Sequence, residues 1–252
     1  NIQITQVRVF DANSGWALCS DPGNPSKNVK VLRTSMGMGT WQDVTSLISG
    51  NDQNFQAAFF VNVNTAMAVS SRTSLSEPQA VEIITWRTID GGQTWQHGEP
   101  VLIERSPDFS PRQLFFIDSE HGWMLGESDA GMGNKRVQLF KTHDGSMHWE
   151  DIYDSGDHLS DTNTLWIKGY YPFLERIAFT SEVAGFFSDG KLYGLQDRGA
   201  SWTPQPIDPP AELTDLGCPD AVCDYLDIIS TPRFLSPQSA ALVRRVYMKT
   251  DL

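Results

Sequence analysis

Basic charge is scarce in this sequence: 19 lysines and arginines stand against 31 aspartates and glutamates, a net charge of -12 at pH 7. A nucleic-acid partner needs a dense basic patch, and an anionic membrane surface needs a polybasic cluster, so neither is expected. Long apolar runs are missing too. No stretch approaches the roughly 20 residues that a membrane helix requires, which argues against direct membrane insertion. Asn1-Ile2-Gln3-Ile4 has neither the charged nor the apolar region of a signal peptide, so such a leader was either never present or removed. Helical periodicity is absent as well: Glu82 to Trp86 and Val137 to Phe140 are short and rich in β-formers. Cysteine is limited to three residues. Cys19 lies in an apolar strand pattern and reads as a buried thiol. Cys218 and Cys223 bracket four residues of a polar loop, a spacing compatible with a small disulfide ring or with two free thiols. The ring would imply an oxidising compartment, so a secreted, periplasmic or cell-surface location is the expectation. One Cys pair without a second Cys or His pair is no zinc signature, and no metal is expected.

What the sequence does have is a repeat. Thr88-Ile89-Asp90-Gly91-Gly92-Gln93-Thr94-Trp95 returns as Thr142-His143-Asp144-Gly145-Ser146-Met147-His148-Trp149. Two degenerate copies are Thr34 to Trp41, with Met36 in place of Asp, and Leu195 to Trp202, which keeps Asp197, Gly199 and Trp202. The tryptophans at 41, 95, 149 and 202 are spaced 54, 54 and 53 residues apart. Val9, Phe60, Phe116, Phe179 and Phe234 form a second column in phase, each followed six residues later by Gly or Ala. Each unit therefore reads as strand, tight turn, strand, longer connection, strand, Thr-x-Asp-Gly turn, strand. In that turn the Thr and Asp side chains can bond backbone N–H groups, Gly can take a positive φ, and Trp can cover the hairpin base. Thr88, Asp90, Gly92, Trp95, Thr142, Asp144, Trp149, Asp197, Gly199 and Trp202 are accordingly read as structural.

Four short antiparallel strands per unit describe propeller blades. The fold class expected is all-β, with blades at about 5–50, 55–105, 111–155 and 174–208 and a partial fifth at 229–252, all within one propeller over 1–252. The first turn position recurs at Thr34, Thr88, Thr142, Leu195 and Thr250, so the chain stops inside its fifth turn. The pattern Phe116/Asp118/Gly122/Trp123 with Thr88/Asp90/Gly92/Trp95 resembles the BNR or Asp-box propeller superfamily. Its Gly-Trp second strand is most similar to bacterial relatives of the photosystem II assembly factor family (Ycf48/Hcf136-like). That resemblance implies a ring of seven blades and a basic surface patch, for which Arg244 and Arg245 are the candidates here. The same repeat also serves sialidases, xyloglucanases and receptors, so the resemblance is specific for fold and not for function.

In an up-and-down blade, the connection between the second and third strands and the connection between blades emerge at one end. The Thr-x-Asp-Gly turns emerge at the other. The long loops thus share one face, where binding usually resides. The 154–173 connection mixes carboxylates with aromatics (Asp157, Asp161, Trp166, Tyr170, Tyr171), suited to a sugar ring or a peptide anchor or else packing the loop onto the blades. The starts of the inner strands supply Gln6, Gln56, Arg112, Gln113, Arg176 and Thr231 at the channel mouth.

No catalytic constellation stands out. A sialidase needs an arginine triad with a Tyr–Glu nucleophile and an Asp acid. The nearest string to that family's Arg-Ile-Pro motif, Arg176-Ile177-Ala178, lacks the proline. The five histidines are scattered in or near turns, and no Gly-x-Ser-x-Gly elbow occurs. The reading is a non-catalytic scaffold that needs no cofactor and binds a protein or glycan; the alternative is a divergent sialidase- or xyloglucanase-like glycosidase. Oligomeric state is left open.

Overall fold

A computed structural model describes residues 3–20, 29–37, 39–45, 48, 54–77, 79–104, 106–131, 134–154, 176–181, 184–188, 192–196, 201–204, 225–229, 233–236, 239–241 and 244–248. Every regular element among them is a β-strand. The contacts divide the chain into two compact units, 1–164 and 165–252.

The first unit holds three sheets of the same plan. The first runs β1 (Gln3–Val9), β2 (Gly15–Ser20), β3 (Lys30–Thr34) and β4 (Gln42–Asp43). The second runs β5 (Asn54–Phe60), β6 (Ala66–Thr73), β7 (Val81–Thr88) and β8 (Gln96–His97), with β9 (Val101–Ile103) also paired to β7. The third runs β10 (Ser110–Phe116), β11 (Gly122–Gly131), β12 (Asn134–Thr142) and β13 (Glu150–Asp154). Neighbours pair antiparallel in chain order, which is the four-stranded up-and-down blade of an all-β propeller.

The second unit contains one more such sheet: β14 (Arg176–Ser181), β15 (Ala184–Ser188), β16 (Leu192–Gln196) and β17 (Ser201–Pro204). Beyond it, β18 (Tyr225–Ile229) pairs with β21 (Arg244–Met248), and β19 (Arg233–Ser236) pairs with β20 (Ser239–Ala241). These two pairs follow one another along a single interrupted hairpin.

Two apolar clusters hold the first unit together, and each draws on two successive sheets. Trp16, Leu18 and Val31 of the first pack with Phe55, Ala58 and Phe60 of the second. Met67, Val69 and Ile83 of the second pack with Leu114, Phe116 and Phe140 of the third. Burying such side chains contributes about 1.5–3 kcal/mol each, so the repeated columns are the sheet-to-sheet glue.

Polar links follow the same columns. Trp16 Nε1 donates to the carbonyl of Asn62 at 3.1 Å, and Arg33 Nε donates to that of Val63 at 3.4 Å. One repeat later, Arg87 Nη1 donates to the carbonyl of Asp144 at 3.3 Å. The arginines directly before Thr34 and Thr88 thus reach the next sheet.

Size is also exchanged across these contacts. Beside Val44, the turn position is Gly92, where a Cβ would lie 3.2 Å from the Val44 side chain. One repeat on, Gly98 stands in place of Val44 and Ser146 in place of Gly92, and a Cβ on Gly98 would come within 2.2 Å of the Ser146 carbonyl oxygen. The small partner changes sides, which explains why a serine sits at a φ of 76° where the preceding repeat has glycine at 83°.

Candidate functional site

The two ends of the blades differ in chemistry. At one end lie the Thr-x-Asp-Gly turns. Thr88 Oγ1 donates to Asp90 Oδ1 and accepts from Gly92 N–H, both at 2.9 Å. Asp90 also accepts from the Thr94 hydroxyl at 2.6 Å and from Thr94 N–H at 3.0 Å. Those Thr94 bonds lead the set that holds the Asp90 carboxyl down to about 2. Thr142, Asp144 and Ser146 N–H repeat the pattern, and Asp144 further accepts from the Met147 and His148 N–H groups at 3.0 Å. Burial pushes Asp144 up, but the bonds from His148, Thr142 and Met147 outweigh it and bring it to about 2.

A second turn backs each of these. The Asp11, Asn62 and Asp118 side chains each accept two backbone N–H groups at 2.7–2.9 Å. Gly37, Gly91 and Gly145, all at positive φ, then donate to the carbonyls of Asn13, Asn64 and Glu120. Trp95, of the second sheet, lies edge-on to Trp16 of the first, and Trp149 lies edge-on to Phe116 of its own sheet.

At the opposite end, each inner strand of the first unit carries a β-bulge, falling at Thr5, Gln56 and Arg112. A bulge re-aims its side chain, and bulges concentrate near binding and active sites. Thr5 Oγ1 donates to the Leu18 carbonyl at 3.0 Å, and Gln56 Nε2 to Ser71 Oγ at 2.8 Å, while Gln56 Oε1 is buried with no partner among the described residues. Arg112 Nη2 pairs with Glu127 Oε1 at 2.6 Å; the arginine side chain is half exposed and the glutamate nearly buried. Gln6 and Gln113 sit one position past the bulge and align with Ala57, so in the first blade the equivalent of Gln56 is Thr5. Counting back four residues from Val9, Phe60 and Phe116 gives the same three positions, so that offset is visible in the sequence.

Further arginine–carboxylate pairs stiffen the same end. Arg72 meets Glu82 at 2.7 Å. Arg136 takes Asp154 through both Nε and Nη2 and donates from Nη1 to Ser106 Oγ at 3.2 Å. Asp154, where the long 154–173 connection begins, is therefore a buried anchor for its root.

Of the other candidates, Asp157, Asp161, Trp166, Tyr170, Tyr171 and Thr231 lie outside the described residues, as do Asp197, Gly199, Cys218 and Cys223. Arg176 opens β14 opposite Ser188, Trp202 lies in β17 opposite Leu195, and Arg244 and Arg245 lie in β21 opposite Ile229 and Ile228. Cys19 is a buried free thiol in β2. Sequence reasoning overlooked the basic column Arg33, Arg87 and Lys141, although its position before each turn threonine is visible. It also overlooked the bulges, which leave no mark in the sequence.

No family model matches the chain, and no curated protein does. Among solved structures, YCF48 bound to D1 peptide is similar over 99% of this chain and 92% of that one, at 16% identity and a TM-score of 0.38. The GH74 xyloglucanase from Xanthomonas campestris is similar over 83% of this chain and 37% of its own, at 14% identity and a TM-score of 0.35. The Bacteroides ovatus Xyloglucan PUL GH43B matches over 98% and 51%, at 12% identity and a TM-score of 0.40. At those values the likenesses assign neither an activity nor a partner to this chain.

Proposed function

We propose that this chain is a non-catalytic binding or assembly scaffold of the Asp-box propeller type, akin to the bacterial assembly-factor relatives. It acts outside the cytoplasm and holds a protein or glycan partner on the blade end that carries the long connections. The observation that supports this most is the contrast between the two ends. Asp90 and Asp144 are engaged in closing their own turns. The opposite end presents the bulge residues Thr5, Gln56 and Arg112 on a frame stiffened by arginine–carboxylate pairs. Glu82, Glu127 and Asp154 there join strand to strand through arginine, a role in rigidity and not in proton transfer. A rigid sheet frame carrying polar side chains and loops is the usual ground plan of a recognition surface.

Peptide and glycan arrays probed with the full chain test the proposal. Binding is expected to weaken about tenfold in Arg112→Lys, which keeps the charge beside Glu127 but loses the planar fork, and to weaken in Trp166→Ala, with unfolding midpoints unchanged. Turnover of fluorogenic sialosides or β-glucans that disappears in Asp157→Asn or Asp161→Asn would instead establish the glycosidase reading.

A further inference from the structure

One position of the Thr-x-Asp-Gly turn changes its chemistry between repeats. In the second blade Thr94 gives Asp90 a hydroxyl hydrogen bond at 2.6 Å. In the third blade His148 stands there instead, with Nδ1 2.5 Å from Asp144 Oδ2. A hydroxyl therefore suffices to close this turn, and the imidazole adds a second nitrogen. That nitrogen, Nε2, lies 3.4 Å from Glu99 Oε1, in the connection between β8 and β9 of the second sheet. At the preceding seam the counterpart of Glu99 is Thr45, which follows Val44 as Glu99 follows Gly98. Threonine thus occupies both positions there, and the titratable contact belongs to the seam between the second and third sheets.

The backbone already joins the two sheets at this corner. Glu99 N–H donates to the Met147 carbonyl at 2.8 Å, while Gly98 N–H stays within its own sheet and donates to the Thr85 carbonyl at 2.9 Å. The carboxylates of Asp144 and Glu99 can only accept, so a protonated ring serves both at once. A neutral ring has one proton. It keeps the shorter bond, to Asp144, and sets the Nε2 lone pair against the Glu99 carboxylate, acceptor against acceptor. Asp144 faces the ring from its own turn and Glu99 from the second sheet. Arg87, also charged, reaches the Asp144 carbonyl from β7. His97 is engaged with the Gly98 carbonyl at 3.0 Å and with the Trp86 ring.

We propose that His148 is a proton-operated strap between the second and third blades: the imidazolium ties Asp144 to Glu99, and the neutral ring holds Asp144 and lets Glu99 go. The Asp144 hydrogen bond, and after it the Glu99 charge, raises His148 above its ordinary 6.5. The contribution of the strap is therefore complete below that value and lost as pH rises through the raised one. His148 and Glu99 are both well exposed, so the strap biases the seam and does not lock it. It acts on the turn end. The pairs at the opposite end are made by Arg72, Arg112 and Arg136, and guanidinium groups do not deprotonate in proteins.

Amide hydrogen exchange of the full chain, followed by NMR at about pH 5.5 and about pH 8, tests the strap on either side of the histidine range. Glu99 N–H reports the bond across the seam and Gly98 N–H the bond within the second sheet. The ratio of their rates cancels the intrinsic pH dependence of exchange, which both amides share. In the wild-type chain the Glu99 amide is expected to exchange about two- to fivefold faster, relative to Gly98, at the higher pH, the range an exposed ion pair supplies. His148→Thr restores the residue of the preceding repeat and keeps a hydroxyl for Asp144. Glu99→Gln supplies an amide that can accept from Nε2 or donate to it, and so meets both forms of the ring. In both variants the ratio for position 99 is expected to be the same at the two pH values. A wild-type ratio that does not move with pH, or one that moves equally in either variant, overturns the proposal. Neither result bears on partner binding at the opposite end.

Discussion

The repeat makes a sharp prediction about one buried hydroxyl. Thr85 Oγ1 donates to the Ser146 carbonyl at 2.7 Å and accepts from Trp149 Nε1 at 3.0 Å, joining the second sheet to the third. One repeat earlier the corresponding residues are Val31, Gly92 and Trp95. Valine offers no hydroxyl, and Trp95 Nε1 is buried with no partner among the described residues. Thr85→Val should orphan both the indole N–H and the carbonyl, at about 1–3 kcal/mol for each buried group left unsatisfied. Val31→Thr, a buried valine-to-hydroxyl change that usually costs about 1–3 kcal/mol, should here be neutral or stabilising by about 1 kcal/mol. If the two interfaces are equivalent, the new hydroxyl should meet the Trp95 indole as Thr85 meets Trp149. Urea and thermal unfolding of the two variants give the test, at roughly 2–4 °C per kcal/mol for a chain of this size. Trp95→Phe, which has no N–H, completes a cycle in which Val31→Thr should lose its benefit, a coupling of about 1 kcal/mol. A loss of about 2 kcal/mol in Val31→Thr, or an equal effect with Phe at 95, refutes the equivalence of the two interfaces.

Other expectations follow from the same contacts. Ser146→Gly should stabilise by about 1 kcal/mol, since it removes a left-handed strain and an unpartnered buried hydroxyl at the cost of chain entropy; thermal unfolding checks it. Gly98→Ala should destabilise by about 3 kcal/mol, because its Cβ would meet backbone oxygen and not a movable side chain; a urea midpoint that does not fall counts against the packing described. Asp90 and Asp144, held at about 2 against an ordinary 3.8, add stability that is complete above about pH 4 and lost as pH falls toward 2. Asp90→Asn should therefore be less stable at neutral pH and show a flatter dependence in acid, read as urea midpoint against pH. The Asp144 hydrogen bond, followed by Glu99, raises His148 above its ordinary 6.5, so its contribution is complete below that value and fades as pH rises through the raised one; an NMR titration should show the shift vanish in Asp144→Asn.

The blades themselves were legible in the sequence because each repeats one local program. Thr88, Asp90, Gly92 and Trp95 act within eight residues of chain, so spacing alone carries their geometry. The polarity of the blades, with turns at one end and connections at the other, follows from antiparallel order and needed no coordinates. In the fifth segment, among the described residues, β18 begins at Tyr225 and pairs with β21, and β19 pairs with β20.

What only the tertiary structure decided lies between repeats and at the bulges. Thr85 meets Trp149 across 64 residues, and Arg87 meets Asp144 across 57. No local pattern encodes such meetings, since they depend on how one sheet seats on the next. Sequence by itself therefore determined the repeating unit, its turns and its apolar columns, which answer to short-range sterics and burial. Which side chains those units bring face to face, and which residue each bulge turns outward, came from packing.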